Sequence, residues 1–191
     1  MNLKRVSLLC LAVLLIAGGA WAQKDGFGKP DTLYLEPYKI DAQHWGVNIA
    51  LFNDQEVLAL SLPIKFMSGK AKIIADSTVF TGGRVENFRV KNARIDTATQ
   101  CITIALINDI GVSVPPLSSG TGRIATIFVS AMDGQDIEYL VVDTTTTMPS
   151  NTLQLVAPPA EEIIPVVSIK SAGKPKMEKE TGEAKEEKGE G

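Results

Sequence analysis

Reactive side chains are almost missing from this 191-residue chain, which has two cysteines, Cys10 and Cys101, and a single histidine, His44. A disulfide scaffold, a zinc finger and an iron–sulfur protein are excluded on that ground. Neither sign of charge dominates: 19 basic side chains stand against 22 acidic ones, a net charge of −3, which offers no basic surface to nucleic acid. Long apolar runs are lacking too. The longest, Val6 to Ala17, falls well short of the roughly 20 residues a membrane-crossing helix needs. No G-x-S-x-G pentapeptide occurs, so the nucleophile elbow of a serine hydrolase is absent.

What is present begins with a targeting signal. Lys4 and Arg5 precede the apolar run, and Ala20-Trp21-Ala22 follows it. These are the three parts of a secretory signal peptide with an A-x-A cleavage site. Cleavage between Ala22 and Gln23 is expected, with export to the periplasm, the cell surface or the medium and no membrane span afterwards. Removal takes Lys4, Arg5 and Cys10 with it, leaving 17 basic against 22 acidic side chains and one cysteine, Cys101. The exported domain is then held by its core alone. At the other end, residues 170–191 carry six lysines and six glutamates and no aromatic residue, the composition of a solvated, disordered tail. The expected organisation is a signal peptide over 1–22, a linker over 23–30, one domain over 31–169 and the tail over 170–191.

Within the domain the pattern is short alternating runs divided by turn residues, which is a β signature. Leu58, Leu60, Leu62, Ile64 and Phe66 share one parity, and Pro63 on the other places this strand at an edge or a bulge. Val47, Ile49 and Leu51 alternate before it, and Asn53-Asp54 suggests a hairpin between the two. Ile102, Ile104 and Leu106 alternate in a third run. Residues 123–132 and 137–142 are apolar on both parities, as in central strands. With Thr32–Leu35, Lys72–Ile74, Thr78–Phe80, Phe88–Ile95, Leu153–Val156 and Ile163–Ile169, about ten strands and no helix of consequence are expected. The fold class is all-β, a two-sheet antiparallel sandwich or jelly roll.

The order of these segments resembles the cohesin-like sandwich modules of secreted bacterial proteins. The stretches that carry it are VNIALFND (Val47 to Asp54), LALSLPIKF (Leu58 to Phe66), TVFTGGRVE (Thr78 to Glu86), PPLSSGTGRIATIFV (Pro115 to Val129) and VVDTTTTMPSNTLQLV (Val141 to Val156). In such modules a Gly-rich turn leads into an IAT-x-x-F strand that closes the sheet. The resemblance implies a non-enzymatic domain that holds a dockerin partner or, in related modules, a carbohydrate. The chain has no D-x-[DN]-x-[DN]-G calcium repeat of the dockerin kind.

Candidate chemistry is sparse. Cys101 and His44 lie in no catalytic signature, and Cys101 reads as a small residue opening a strand. Most acids, among them Asp54, Asp76, Asp96 and Asp109, fall at turns, where local hydrogen bonding explains them, and no pair has the spacing of a glycosidase. The chain is therefore read as a non-enzyme. With so few nitrogen and sulfur ligands only a hard, oxygen-bound cation is open, and calcium at Asp133 and Asp136 is the local candidate; no other cofactor is expected. Tyr34, Tyr38 and Trp45, beside Glu36, Gln43 and His44, form the one concentration of aromatics. Exposed rings would stack on pyranose faces, whereas a tryptophan capping the sandwich with tyrosines at a sheet edge is the structural reading. Two functions follow: a protein-interaction or scaffolding module, or a carbohydrate-binding module recognising a polysaccharide.

Overall fold

The computed structural model describes residues 25–108, 114–146 and 152–170, and among them eleven strands form two sheets. The signal peptide, its Ala22/Gln23 junction, Cys10 and Asp109 lie outside the described residues, as does the tail beyond Lys170. The strands are β1 Thr32–Lys39, β2 His44–Asn53, β3 Ala59–Met67, β4 Ile73–Val79, β5 Val90–Asp96, β6 Cys101–Ile107, β7 Gly120–Ala131, β8 Val141–Thr144, β9 Gln154–Ala157, β10 Glu161–Ile163 and β11 Val166–Ile169. The first sheet has the order β11-β1-β2-β7-β4, with β11 parallel to β1 and every other pair antiparallel. The second runs β10-β9-β3-β6-β5, and β8 also pairs with β3.

Alternation explains the core. Leu33 and Leu35 of β1 and Trp45, Val47, Ile49 and Leu51 of β2 point inward from the first sheet. Leu60, Leu62, Ile64 and Phe66 of β3 meet them from the second, with Ile102, Ile104 and Leu106 of β6. Each such side chain contributes roughly 1.5–3 kcal/mol by leaving water. The alternating apolar faces are thus the two inner faces of a sandwich.

Four expectations need correction. β2 and β3 form no hairpin: β2 pairs with β1 and β7, while β3 lies in the opposite sheet. Both strands bury one face, which fixes the side each presents to the core but not the neighbour it bonds. β3 is central rather than an edge, and Pro63 is accommodated because the neighbour on that side changes there. β9 pairs with β3 through Ser61, β8 pairs from Ile64 onward, and the Pro63 carbonyl accepts from Thr145 N–H at 3.2 Å. Residues 137–142 are not a central strand; only Val141–Thr144 is strand, bonded to β3 alone, and Ile137 and Leu140 are buried in the segment leading into it. The runs 72–74 and 78–80 belong to one strand, β4, interrupted by a register shift at Asp76.

The double-parity run 123–132 does become the central strand β7. Its register against β2 shifts by one at Ile124, so that Ile124 and Ala125 are both buried. A bulge places two consecutive residues on one side. Two buried asparagines hold the loops: Asn53 Nδ2 donates to Gln55 O at 2.6 Å and Ser118 O at 3.1 Å, and Asn108 Nδ2 donates to Val114 O at 2.9 Å and Pro115 O at 2.8 Å.

Candidate functional site: the outer face of the second sheet

The ladder registers of the second sheet fix which outward residues are neighbours. One row across β9, β3, β6 and β5 is Val156, Ala59, Ile107 and Val90; the next is Gln154, Ser61, Ala105 and Asn92. Then come Pro63, Thr103 and Arg94, and last Asp143, Lys65, Cys101 and Asp96 across β8, β3, β6 and β5, with Pro63 and Cys101 themselves buried among their neighbours. The first row is apolar, with Ile107 40% and Val90 45% exposed. The last carries charges of both signs. Between them β3 and β6 contribute Ser61, Pro63, Thr103 and Ala105, all short, because Leu60, Leu62, Ile64, Ile102, Ile104 and Leu106 occupy the inward parity. The result is a face with an apolar end and a charged end, which no strand or helix among the described residues covers.

One edge of this sheet is β10 and the other is β5. There Lys91 Nζ donates to Glu86 O and Phe88 O, both at 2.6 Å. A lysine on an edge strand opposes pairing with another chain, which disfavours strand addition at β5.

The outer face of the first sheet is different. Arg123 donates to Thr126 Oγ1 at 3.0 Å, and that hydroxyl donates to Asn48 Oδ1 at 2.9 Å. Lys170 pairs with Glu36 at 2.5 Å. Tyr38 lies over Gly46, where an added Cβ would sit 2.2 Å from its ring. Only glycine leaves room for that ring.

The aromatic cluster does not assemble as three exposed rings, and the expectation of a Tyr34, Tyr38 and Trp45 platform is corrected on this point. Trp45 is 2% exposed, since it shares the parity of Val47, Ile49 and Leu51 and points into the core. Tyr34 and Tyr38 share the outward parity of β1. His44 is exposed and its Nδ1 lies 2.9 Å from the Asp41 carboxylate; N–H groups of Gln43 and His44 donate to the same side chain. Those contacts, the Gln43 N–H first, hold the Asp41 carboxyl below its usual range.

Cys101 is buried at the start of β6 with Sγ 3.3 Å from Thr99 O, in the opposite sheet from His44, so the two are not brought together. Asp133 accepts from Gln135 N–H at 3.3 Å in an exposed turn. Asp136 lines a shallow cleft of about 500 Å³ with Lys70, Glu138 and Tyr139. Arg84, unremarked in the sequence, reaches Leu51 O at 2.9 Å, Gly120 O at 3.0 Å and Ser118 O at 2.5 Å. Burial lowers its pKa from the usual value. It ties the segment after β4 to the start of β7, a structural task no motif announces.

No protein-family model matches the chain, and no curated protein matches it. Solved structures do. A chain of the Coh-OlpC–Doc435 type I cohesin–dockerin complex from Clostridium thermocellum matches with a TM-score of 0.57 and 11% identity, over 78% of this chain and 94% of that one. The Coh-OlpA–Doc918 complex of the same organism gives 0.56 and 11%, over 74% and 100%. The third cohesin of ScaC from Acetivibrio cellulolyticus, in complex with the ScaB dockerin, gives 0.55 and 13%, over 74% and 94%. The fold is that of a cohesin-like β-sandwich, as the order of its sequence segments suggested.

Proposed function

We propose that the domain is an exported, non-catalytic protein-binding module that holds a dockerin-like partner on the outer face of its second sheet. The observation that carries this reading is the face of short side chains around Ala59, Ser61 and Ala105, each partly exposed, on a cohesin-like fold. Such a face is rigid before the partner arrives, so little ordering entropy is lost on binding. The apolar row at Ile107 and Val90 supplies desolvation energy, and the charged row at Lys65, Asp96 and Asp143 sets orientation. The polysaccharide reading loses its third ring with the burial of Trp45.

The test is titration of the full chain with purified type I dockerins from the two organisms named above, followed by calorimetry. Ala105→Arg puts a long charged side chain at the centre of the face, and binding is expected to weaken by roughly 100-fold, the scale of a central interface residue. Thr121→Arg, on the outer face of the first sheet opposite Phe52, is expected to leave affinity unchanged. Binding that survives Ala105→Arg would place the contact elsewhere. Failure of every dockerin to bind the wild-type chain would rule out the dockerin class.

A further inference from the structure

Two aspartates six residues apart, Asp25 and Asp31, meet a distant third, Asp54, where the chain enters β1. Asp25 folds back on its own segment: Oδ1 accepts from Phe27 N–H at 3.1 Å and Oδ2 from Asp31 N–H at 2.6 Å. Asp54, in the turn after β2, accepts from Lys29 N–H through Oδ2 at 2.5 Å, and its own N–H donates to Asp31 Oδ1 at 3.1 Å. Gly28, at φ +58°, allows this approach, since a Cβ there would lie 2.1 Å from Asp54 Oδ2. One carboxylate oxygen from each of the three lies within 4.8 Å of the other two.

Acidic clusters are common on protein surfaces, and this one differs in a specific way. Asp31 has no exposed surface at all, and its Oδ2 has no hydrogen-bond partner. Asp54 Oδ1 is likewise buried without a partner. A buried polar atom left unpaired costs about 1–3 kcal/mol, and more when it is charged. Two such oxygens beside a third carboxylate are a cost that a bound cation removes.

The donor set selects the ion. All three ligands are hard carboxylate oxygens, which suit calcium, magnesium or manganese rather than zinc or copper. Two oxygens bound to one calcium at about 2.4 Å stand at most about 4.8 Å apart, and the three carboxylate oxygens lie within that distance of one another. Magnesium needs shorter bonds of about 2.0–2.1 Å and near-octahedral geometry, and it gives up its water reluctantly. We propose that Asp25, Asp31 and Asp54 form a calcium site that pins the segment leading into β1 to the turn after β2. The site uses residues of the first sheet and its approach, and none from the open face of the second, so its test is separate from that of partner binding.

The full chain is stripped with chelator and titrated with calcium chloride by calorimetry, and its thermal unfolding is followed with and without 5 mM calcium. One ion per chain and a rise of about 5 °C in Tm are expected for a site of the millimolar to submillimolar class. Asp31→Asn is expected to lose the calcium response while the stripped protein melts no lower than wild type, because the buried charge has gone. Should that variant fail to fold, Asp25→Asn, in the segment ahead of β1, carries the same expectation of lost response. Magnesium at the same concentration is expected to give less than a third of the calcium shift. An unchanged Tm and no binding heat in the wild type would overturn the site. A full calcium response in both aspartate variants, or an equal response to magnesium, would do the same.

Discussion

Trp45→Ala separates a structural tryptophan from a ligand-facing one. The ring projects from β2 into the core, beside β1 and β7 through its register partners Lys39 and Val129. Truncating a buried tryptophan costs about 3–5 kcal/mol through lost transfer energy and the cavity left behind. Here the figure belongs near the lower end, because Trp45 Nε1 is buried without a partner and already burdens the folded state. With a urea m-value of about 2 kcal/mol/M, a loss of about 3 kcal/mol moves the unfolding midpoint down by about 1.5 M. Trp45→Phe removes the unpaired N–H as well as part of the ring, so the two effects oppose and the net change is expected within about 1 kcal/mol. Equilibrium urea unfolding of the full chain, followed by circular dichroism, measures both. In a Trp21→Phe background the emission of Trp45 should be blue in the native state and shift red on unfolding. A midpoint lowered by less than about 0.3 M in Trp45→Ala, with emission already red in the native protein, would refute burial and restore the sugar-stacking reading.

Asn108→Ala removes two donors from the carbonyls of Val114 and Pro115 and should cost about 2 kcal/mol in thermal unfolding; Asn108→Asp, which turns a carboxylate toward those carbonyls, should cost more. Arg84→Met strips the carbonyls of Leu51, Ser118 and Gly120 of their shared donor. About 2 kcal/mol of destabilisation is expected, with faster amide exchange around 118–122, and unaltered exchange there would count against the staple. The Thr99 hydroxyl and N–H hold the Asp96 carboxyl below its usual range, as the Gln43 N–H and His44 hold that of Asp41. A carboxyl depressed in the folded state adds stability that is complete above its unfolded pKa, near 4, and is lost as pH falls through the folded value. Tm should therefore fall as pH drops from about 4 toward 3, and Asp96→Asn, which keeps the turn acceptor without the charge, should make that decline shallower.

Parity was the legible part of this sequence, and sheet membership was not. The inward sets of β2, β3 and β6 follow from alternation alone, because burial of one face leaves a period of two. Which strand bonds to which depends on connections that cross the sandwich, and Asn53-Asp54 reads the same whether the chain turns back into its own sheet or passes to the other. Trp45 shows that parity must be applied without exception: it stands two residues before Val47, and its aromatic neighbours in sequence suggested a surface cluster that the alternation contradicts. Pro63 shows the converse, since a strand can be central when its second neighbour changes at the residue that lacks a donor. Asp25, Asp31 and Asp54 share no spacing that a motif could capture; only the return of β2 to the start of β1 brings them together.

The two outer faces carry the functional contrast. On the first sheet the outward polar groups partner one another, through Arg123, Thr126 and Asn48, and Tyr38 is laid against Gly46. A partner docking there would have to break existing contacts before making its own. On the second sheet the middle outward positions of β3 and β6 are serine, proline, threonine and alanine, between the exposed Ile107 and Val90 at one end and Lys65, Asp96 and Asp143 at the other. A complementary surface can approach the backbone at Ser61 and Ala105 and desolvate the apolar row. Residues that look uninformative in sequence because they are small are therefore the ones that leave room for a partner, and Ala105→Arg tests that inference at the position where the least side chain stands between the sheet and solvent.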